Sequence, residues 1–265
     1  MTTRALHGSV ARADASRRPP VLFIHGLWLR PSSWDRWVEM FEAAGYAALA
    51  PGWPAEVGGA AAPETIDEAV THFTGIVETL SRRPAIVGHS FGGLIAQILA
   101  SQAHSAATVA IDPAPFERSL PRPIAALQPA LPALQGGARR KESLPPQQAH
   151  IFGNALPEPE SEGLHRIHRA PASDPPIESI ANPSPRTEAG DDTEASQRGP
   201  LLVISSENGL AASQSIAHAV YGQQSHNRHA ITEFVRLSGR SRRDTIDSGW
   251  RELAQITLAF VKRFL

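Results

Sequence analysis

A serine between two glycines is the feature of this sequence best suited to chemistry. The run Gly88-x-Ser90-x-Gly92 comes directly after a short apolar segment, residues 84–87, and before a segment of small and aliphatic residues, 94–103. A strand, a sharp turn and a helix in this order hold the central side chain out at a sheet edge. Glycine on both sides removes β-carbons that would collide in so tight a turn. Ser90 is therefore the predicted nucleophile.

The residues beside Ser90 are predicted to support a negative charge. A helix that begins at Phe91 points its free N–H groups and its positive dipole end at the same place, where an oxyanion would form. We therefore expect the backbone N–H of Phe91 to be one oxyanion donor. His89, which precedes the serine, is expected to be a buried imidazole with satisfied hydrogen bonds.

The rest of the chain alternates between predicted strands and predicted helices. Short apolar runs indicate strands that are covered on both faces, and apolar residues at helical spacing indicate helices that pack on them. This order predicts an α/β fold, a doubly wound and mostly parallel sheet with helices on both faces. The predicted strands are residues 21–24, 46–50, 84–87, 108–111, 201–204 and 231–237, and the predicted helices are residues 34–41, 66–80, 94–103, 213–221 and 250–264.

Proline is concentrated in one part of the chain, where sixteen of the 23 prolines lie between the fourth and fifth predicted strands. Few long helices are compatible with so much proline. We therefore expect residues 113–198 to form a cap insertion within a single domain, whose core is residues 21–112 and 199–265. Residues 1–20 show no clear period and are expected to be a tail or a weak edge strand.

The composition excludes several classes of protein. A formal net charge of −1 gives no electrostatic attraction to nucleic acid, and the absence of cysteine excludes disulfides and thiolate zinc sites. No apolar run reaches the roughly 18 residues that a membrane span needs, and the N-terminal residues lack the apolar centre of a secretory signal. We expect a cytoplasmic protein that binds a small molecule, with no nucleic-acid partner and no membrane span.

These features together resemble the α/β-hydrolase fold family, in particular its bacterial esterase-like and lysophospholipase-like serine hydrolases. The resemblance extends from about residue 21 to residue 265 and rests on His25-Gly26, Gly88 to Gly93, Ile111-Asp112-Pro113-Ala114-Pro115, Gly199-Pro200-Leu201-Leu202 and residues 239–250. It implies hydrolysis of a small acyl ester through an acyl-enzyme, without cofactor or metal. It also implies that the N–H of Leu27 completes the oxyanion hole, while His25 holds that loop by hydrogen bonds.

The general base that this resemblance implies is missing. Members of the family carry a histidine after the last strand, whereas the last histidine here is His229, before that strand. Arg242 stands where the resemblance puts the base, and an arginine side chain keeps its proton at working pH. Activation of the serine hydroxyl is therefore expected to be poor, because it needs a base that accepts its proton.

The acid has also changed. The resemblance puts an aspartate near Gly209, and Glu207, two residues earlier, is the only carboxylate between Gly199 and Ala230. Asp112, at the end of the fourth predicted strand, is an alternative acid position used by some members of the fold. It could equally cap the proline turn that follows it.

Other histidines are poor substitutes for the base. His226 and His229 precede the last strand and are expected at the opposite end of the sheet, while His165 and His168 are expected to be exposed polar residues of the cap.

Two hypotheses about function follow. The protein is a carboxylesterase-type enzyme with weak or lost turnover, or it is a non-catalytic pseudo-hydrolase that binds a small acyl or apolar ligand. In the second case the basic residues near position 242 form either a rim to the ligand site or a solvated loop.

Overall fold

The computed structural model describes residues 3–26, 29–53, 66–114, 195–206, 211–237, 245–246 and 249–265. Within them, six parallel strands form one sheet in the order β2-β1-β3-β4-β5-β6. The strands are β1 (Pro20–Ile24), β2 (Ala47–Leu49), β3 (Ala85–His89), β4 (Ala107–Ile111), β5 (Leu201–Ser206) and β6 (Thr232–Leu237). The predicted α/β fold with a parallel sheet is confirmed.

The strand order reverses next to β1, and this reversal positions the site. From β1 the chain moves outward to β2, then crosses back so that β3 pairs with the other side of β1. The loops that leave β1 and β3 therefore diverge from neighbouring strands at the carboxyl edge. Ligands of open α/β sheets bind in such a crevice.

Helices cover both faces of the sheet. They are α1 (Thr3–Ala15), α2 (Asp35–Ala43), α3 (Ile66–Glu78), α4 (Phe91–Ser101), α5 (Ala211–Gln224) and α6 (Trp250–Val261), and a 3₁₀ helix, Pro31–Trp34, precedes α2. One apolar core joins α1, α3, α4 and α5 to the sheet, and a second joins α2 and α6 to the opposite face. Right-handed crossovers from parallel strands produce this two-sided arrangement. None of the described helices has the length and apolarity that crossing a membrane would require.

The first helix differs from the expectation for residues 1–20. These residues were expected to be a tail or a weak edge strand, and this expectation was wrong, because Thr3–Ala15 is a helix. Its buried residues Leu6, Val10 and Ala13 recur at helical spacing and join the core on the face of α3 and α4. Tertiary packing of this stripe stabilises a helix whose sequence alone shows a weak pattern.

The expected cap lies outside the described residues except at its ends. Pro113 and Ala114 follow β4, and residues 195–198 precede Gly199 and β5. The boundaries 113–198 therefore stay a prediction.

Candidate functional site

The backbone of Ser90 adopts a conformation that is rare for a residue with a side chain. Its φ is 54° and its ψ is −118°, at the junction between the last residue of β3 and the first residue of α4. Hydrogen bonds hold this turn on both sides. The Ser90 N–H donates to Ile111 O at 2.9 Å, and Ser90 O accepts from the N–H groups of Gly93, Leu94 and Ala114. Such a conformation persists only where the surroundings impose it.

Two glycines make the turn possible, as the sequence predicts. A β-carbon at Gly88 would lie 2.1 Å from the carbonyl oxygen of Gly92, and a β-carbon at Gly92 would lie 2.2 Å from the carbonyl oxygen of Ile24. Both distances are far inside van der Waals contact with backbone atoms that cannot move aside. The elbow is therefore packed directly against the end of β1.

The Ser90 hydroxyl does not cap the helix that it precedes. Serine at an N-cap usually accepts a hydrogen bond from a backbone N–H of the first turn. Here the side chain of Ser90 makes no capping hydrogen bond. Nor does it make a hydrogen bond with any other side chain of the described residues. Within the described part of the chain, the half-buried hydroxyl therefore has no side-chain partner, and its position is set by the backbone of the turn.

Gly26, which begins the loop after β1, lies beside the serine. A β-carbon at Gly26 would be 3.3 Å from the β-carbon of Ser90 and 3.5 Å from Nδ1 of His89. Leu27, the oxyanion donor that the resemblance implies, lies outside the described residues. Phe91 is the first residue of α4 and is buried. Its helix N-terminus therefore lies beside the start of the loop that carries Leu27.

His25 is fully buried, in agreement with its predicted structural role. Its Nδ1 atom lies 3.1 Å from the indole nitrogen of Trp53 and 2.9 Å from the carbonyl oxygen of Gly26. His89 is also buried within the elbow. Both imidazoles are thus part of the packing around the turn.

The carboxylate of Asp112 is buried at the carboxyl edge of the sheet. Its backbone has a positive φ of 40°, which Asp tolerates better than most residues. The N–H of Ser206 donates to Oδ1 at 3.0 Å, and the Ser206 hydroxyl donates to Oδ2. The side chain of Asp112 therefore reaches across to the end of β5. Sequence reasoning named Asp112 as one of two acids but missed Ser206.

The other acid and the residue at the base position lie outside the described residues. These are Glu207, Gly209 and Arg242. The described chain resumes after β6 at Thr245, whose carbonyl oxygen accepts a hydrogen bond of 2.8 Å from the indole N–H of Trp37. Thr245 is therefore held against α2.

Two of the alternative histidines lie far from the serine. His226 and His229 are in the connection between α5 and β6, which places them at the amino edge of the sheet, as predicted. His165 and His168 lie outside the described residues. Trp53 is the site neighbour that sequence reasoning missed. It lies between Gly52 and Pro54, and no local pattern links it to His25.

Comparisons with known proteins agree with this architecture. A sequence profile of the "Alpha/beta hydrolase family" matches residues 21–231. A monoacylglycerol lipase of Paleococcus ferrophilus is 18% identical, with a TM-score of 0.69 over 94% of this chain and 96% of that chain. The thioesterase domain from the curacin biosynthetic pathway is also 18% identical, with a TM-score of 0.62 over 92% of each chain.

Tomato methylketone synthase I in complex with 2-tridecanone is 12% identical, with a TM-score of 0.68 over 94% of this chain and 99% of that chain. At such low identities these likenesses show the fold alone. The comparison with curated protein sequences finds no match. Because the family profile covers most of the chain and the sheet, helices and elbow agree with it, the chain belongs to the alpha/beta hydrolase family.

Proposed function

We propose that this protein is a carboxylesterase-type serine hydrolase with weak turnover, in which Ser90 attacks the carbonyl carbon of a small acyl ester. The observation that carries the proposal is the backbone of Ser90, with φ 54° and ψ −118°, together with a hydroxyl that caps no helix. A strained turn that presents an uncommitted hydroxyl beside a helix N-terminus is suited to a nucleophile.

The reaction would take place in two steps. Ser90 Oγ bonds to the acyl carbon and loses its proton, and the ester carbon–oxygen bond then breaks, so that the alcohol leaves with a proton. Water next attacks the acyl-enzyme, releases the carboxylic acid and returns the proton to Ser90. The backbone N–H groups of Leu27 and Phe91 would stabilise the oxyanion of each tetrahedral intermediate.

Turnover would be slow because no good base serves Ser90. The last histidine of the chain is His229, and Arg242 stands where the family resemblance puts the base. Loss of the base in a serine triad reduces turnover by on the order of a millionfold, and roughly a thousandfold acceleration over water survives from the oxyanion hole and binding. We expect acyl-enzyme formation to be measurable and repeated turnover to be poor.

Of the two candidate acids we propose Asp112, whose contacts within the described residues suit the role. Its carboxylate is buried at the carboxyl edge and is held in one orientation by two hydrogen bonds from Ser206. A triad acid must be fixed in this way in order to orient a base. Gly209, at the family's usual acid position, has no side chain that could do so.

The missing base also favours a second candidate function, a pseudo-hydrolase that binds a small acyl or apolar ligand without cleaving it. The similar fold of tomato methylketone synthase I holds 2-tridecanone, a long apolar ketone. Arg240, Arg242 and Arg243 would then supply a basic rim for the polar end of the ligand.

Covalent labelling separates the two candidates. The protein is incubated with a fluorophosphonate probe, and p-nitrophenyl acetate hydrolysis is measured in parallel. Labelling confined to Ser90, with hydrolysis abolished by Ser90→Ala, would support the hydrolase. Labelling no stronger than that of heat-denatured protein would refute it and favour the pseudo-hydrolase.

A double replacement tests the assignment of the lost base and acid. Arg242→His combined with Gly209→Asp should raise p-nitrophenyl acetate hydrolysis at least tenfold, since triad members act as a unit and are best restored together. Gly209→Asp alone is the control and should gain little, whereas Arg242→His alone should recover part of the gain, because Asp112 can already serve as the acid. A folded double variant as inactive as the parent would show that these two positions are wrongly assigned.

A further inference from the structure

The aromatic ring of Trp53 lies between the two segments that meet at Ser90. It is buried where the chain turns after β2, and its ring packs at centroid distances of 5.6 Å on His25, 5.2 Å on Phe73 and 5.4 Å on Phe91. His25 directly precedes Gly26, which lies beside the serine, and Phe91 follows the serine directly. One side chain therefore touches both segments.

A hydrogen bond adds direction to this packing. The indole N–H of Trp53 points to Nδ1 of His25 at 3.1 Å. An indole N–H can only donate, so in this hydrogen bond Nδ1 is the acceptor, and we assign the imidazole proton to Nε2. The carbonyl oxygen of Gly26 lies 2.9 Å from Nδ1 and accepts a hydrogen bond of 3.1 Å from the N–H of Leu29.

The turn that carries Trp53 is itself tied to α3. Nε2–H of His72 donates to the carbonyl oxygen of Gly52 at 3.1 Å, and the His72 ring packs edge-on against Phe73. Burial lowers the pKa of His72, so this imidazole is neutral at neutral pH. Trp53 is thus held from α3 on one side while it contacts the elbow and the loop after β1 on the other.

We infer that Trp53 is a positioning residue, which fixes the loop of His25 and the elbow of Phe91 in the relative geometry that the oxyanion hole needs. The inference rests on the proposed function. The distance between the two segments is sensitive, because even one added β-carbon at Gly26 would lie 3.3 Å from the β-carbon of Ser90. A misplacement of about 1 Å in such a site can reduce the rate on the order of a hundredfold.

Trp53→Phe tests the inference, because it keeps an aromatic ring and deletes the N–H that His25 accepts. We expect the rate of fluorophosphonate labelling at saturating probe to fall about tenfold, with the probe concentration at half-maximal rate unchanged. Trp34→Phe is the matched control. Trp34 is equally buried, but among the described residues its indole N–H has no acceptor. It should lose a similar amount of thermal stability and keep the labelling rate.

Replacements of the acceptor provide a rescue test. His25→Phe keeps a ring without an acceptor, and we expect it to slow labelling as much as Trp53→Phe does. His25→Asn places an oxygen near the position of Nδ1 and should recover part of the loss. If both variants label at the same rate, the hydrogen bond has no positioning effect.

An NMR measurement tests the same bond without requiring activity. The chain has five tryptophans, so its indole N–H groups give five signals, and the one missing in Trp53→Phe is that of Trp53. We expect this proton to exchange with solvent at least tenfold faster in His25→Phe than in the parent. Unchanged exchange would overturn the inference. Failure of the parent protein to label would instead refute the proposed function, and Trp53 would then have no reaction to serve.

Discussion

Ser90 combines two properties that a residue with a purely structural role would not need. Its backbone has a positive φ, a conformation that costs of order 1–3 kcal/mol outside glycine, and its hydroxyl makes no capping bond. A serine at a helix N-cap normally contributes to stability through that bond. At this position the side chain therefore lowers the stability of the folded protein.

Ser90→Gly is expected to stabilise the protein. Glycine adopts this backbone conformation without a β-carbon penalty, so we expect the free energy of unfolding to rise by about 1 kcal/mol in urea denaturation, while labelling is lost. Ser90→Ala is the control, because it removes the same hydroxyl and keeps the β-carbon. Equal stability of the two variants would show that the turn is not strained.

Gly92→Ala is expected to destabilise the fold. The new β-carbon would meet the carbonyl oxygen of Ile24 at 2.2 Å, so the end of β1 or the elbow must shift. We expect a loss of at least about 2 kcal/mol in the free energy of unfolding. Gly75→Ala, in α3, is the matched control, since nothing lies within 4 Å of its new β-carbon. It should gain about 0.5–1 kcal/mol from helix propensity, and a similar effect at both positions would contradict the tight packing of the elbow.

At the scale of elements, α1 is fastened to the protein at both ends of its buried stripe. Leu6 and Val10 pack in the core, and Asp14 Oδ1 accepts hydrogen bonds of 2.7 Å from both the N–H and the hydroxyl of Ser81. Ser81 lies just beyond the end of α3. The last turn of α1 is therefore tied to the same layer that its apolar residues cover.

The hydrogen bonds between Asp14 and Ser81 predict that the stability of the protein falls at acidic pH. The hydrogen bonds from Ser81 lower the pKa of Asp14 in the folded state below its ordinary value of 3.8. The stabilisation is thus complete above that value and is lost as the pH falls through the lower folded pKa. Asp14→Asn should therefore lose less stability than the parent between about pH 5 and pH 2, measured by denaturant unfolding at each pH.

Ser81→Ala provides the check on this mechanism. It removes the hydroxyl donor while leaving the Asp14 carboxylate, and it should flatten the same part of the pH profile. If neither variant differs from the parent in the slope of stability against pH, the hydrogen bonds between Asp14 and Ser81 do not contribute to stability.

At the scale of the whole molecule, different polar groups are found at the two edges of the sheet. The elbow and Asp112 lie at the carboxyl edge, whereas Arg198 is buried at the amino edge, just before β5. Its guanidinium donates to the carbonyl oxygens of Gly199 and Gln224 and to the hydroxyl of Thr232. Burial lowers its pKa to about 10, so it is still cationic at neutral pH. It therefore joins the starts of β5 and β6 to the end of α5.

Arg198→Met is expected to lower the stability of the protein and to leave the labelling of Ser90 nearly unchanged. The variant loses three hydrogen bonds from a buried cation, so the free energy of unfolding should fall by about 2–4 kcal/mol. Labelling of Ser90 at 25 °C should stay within about twofold of the parent, because the two groups lie at opposite edges of the sheet. Arg198→Lys keeps the charge but not the planar guanidinium, so its free energy of unfolding should lie between those of the parent and Arg198→Met. A large change in labelling would show that the edges are coupled.

The sequence predicted the sheet well and the site in part, for physical reasons. Buried parallel strands are continuous apolar runs, so all six strands were recognised, and the elbow depends on residues within five positions of one another. The contacts of Trp53 with His25 and of Ser206 with Asp112 join residues 28 and 94 positions apart, so no local pattern marks them. The helix α1 was missed because Gly8 and Ser9 weaken its propensity, and its stability comes from packing.

The packing of the elbow also bears on how related chains should be read. Backbone contacts alone require glycine at positions 88 and 92, so a related chain without the serine hydroxyl would still need both glycines in order to fold. No backbone contact requires serine at position 90. In a chain that does not use the hydroxyl, we expect glycine there, because glycine adopts this backbone conformation without strain. Among such chains, the residue at position 90 is therefore the one that indicates whether a nucleophile is still present.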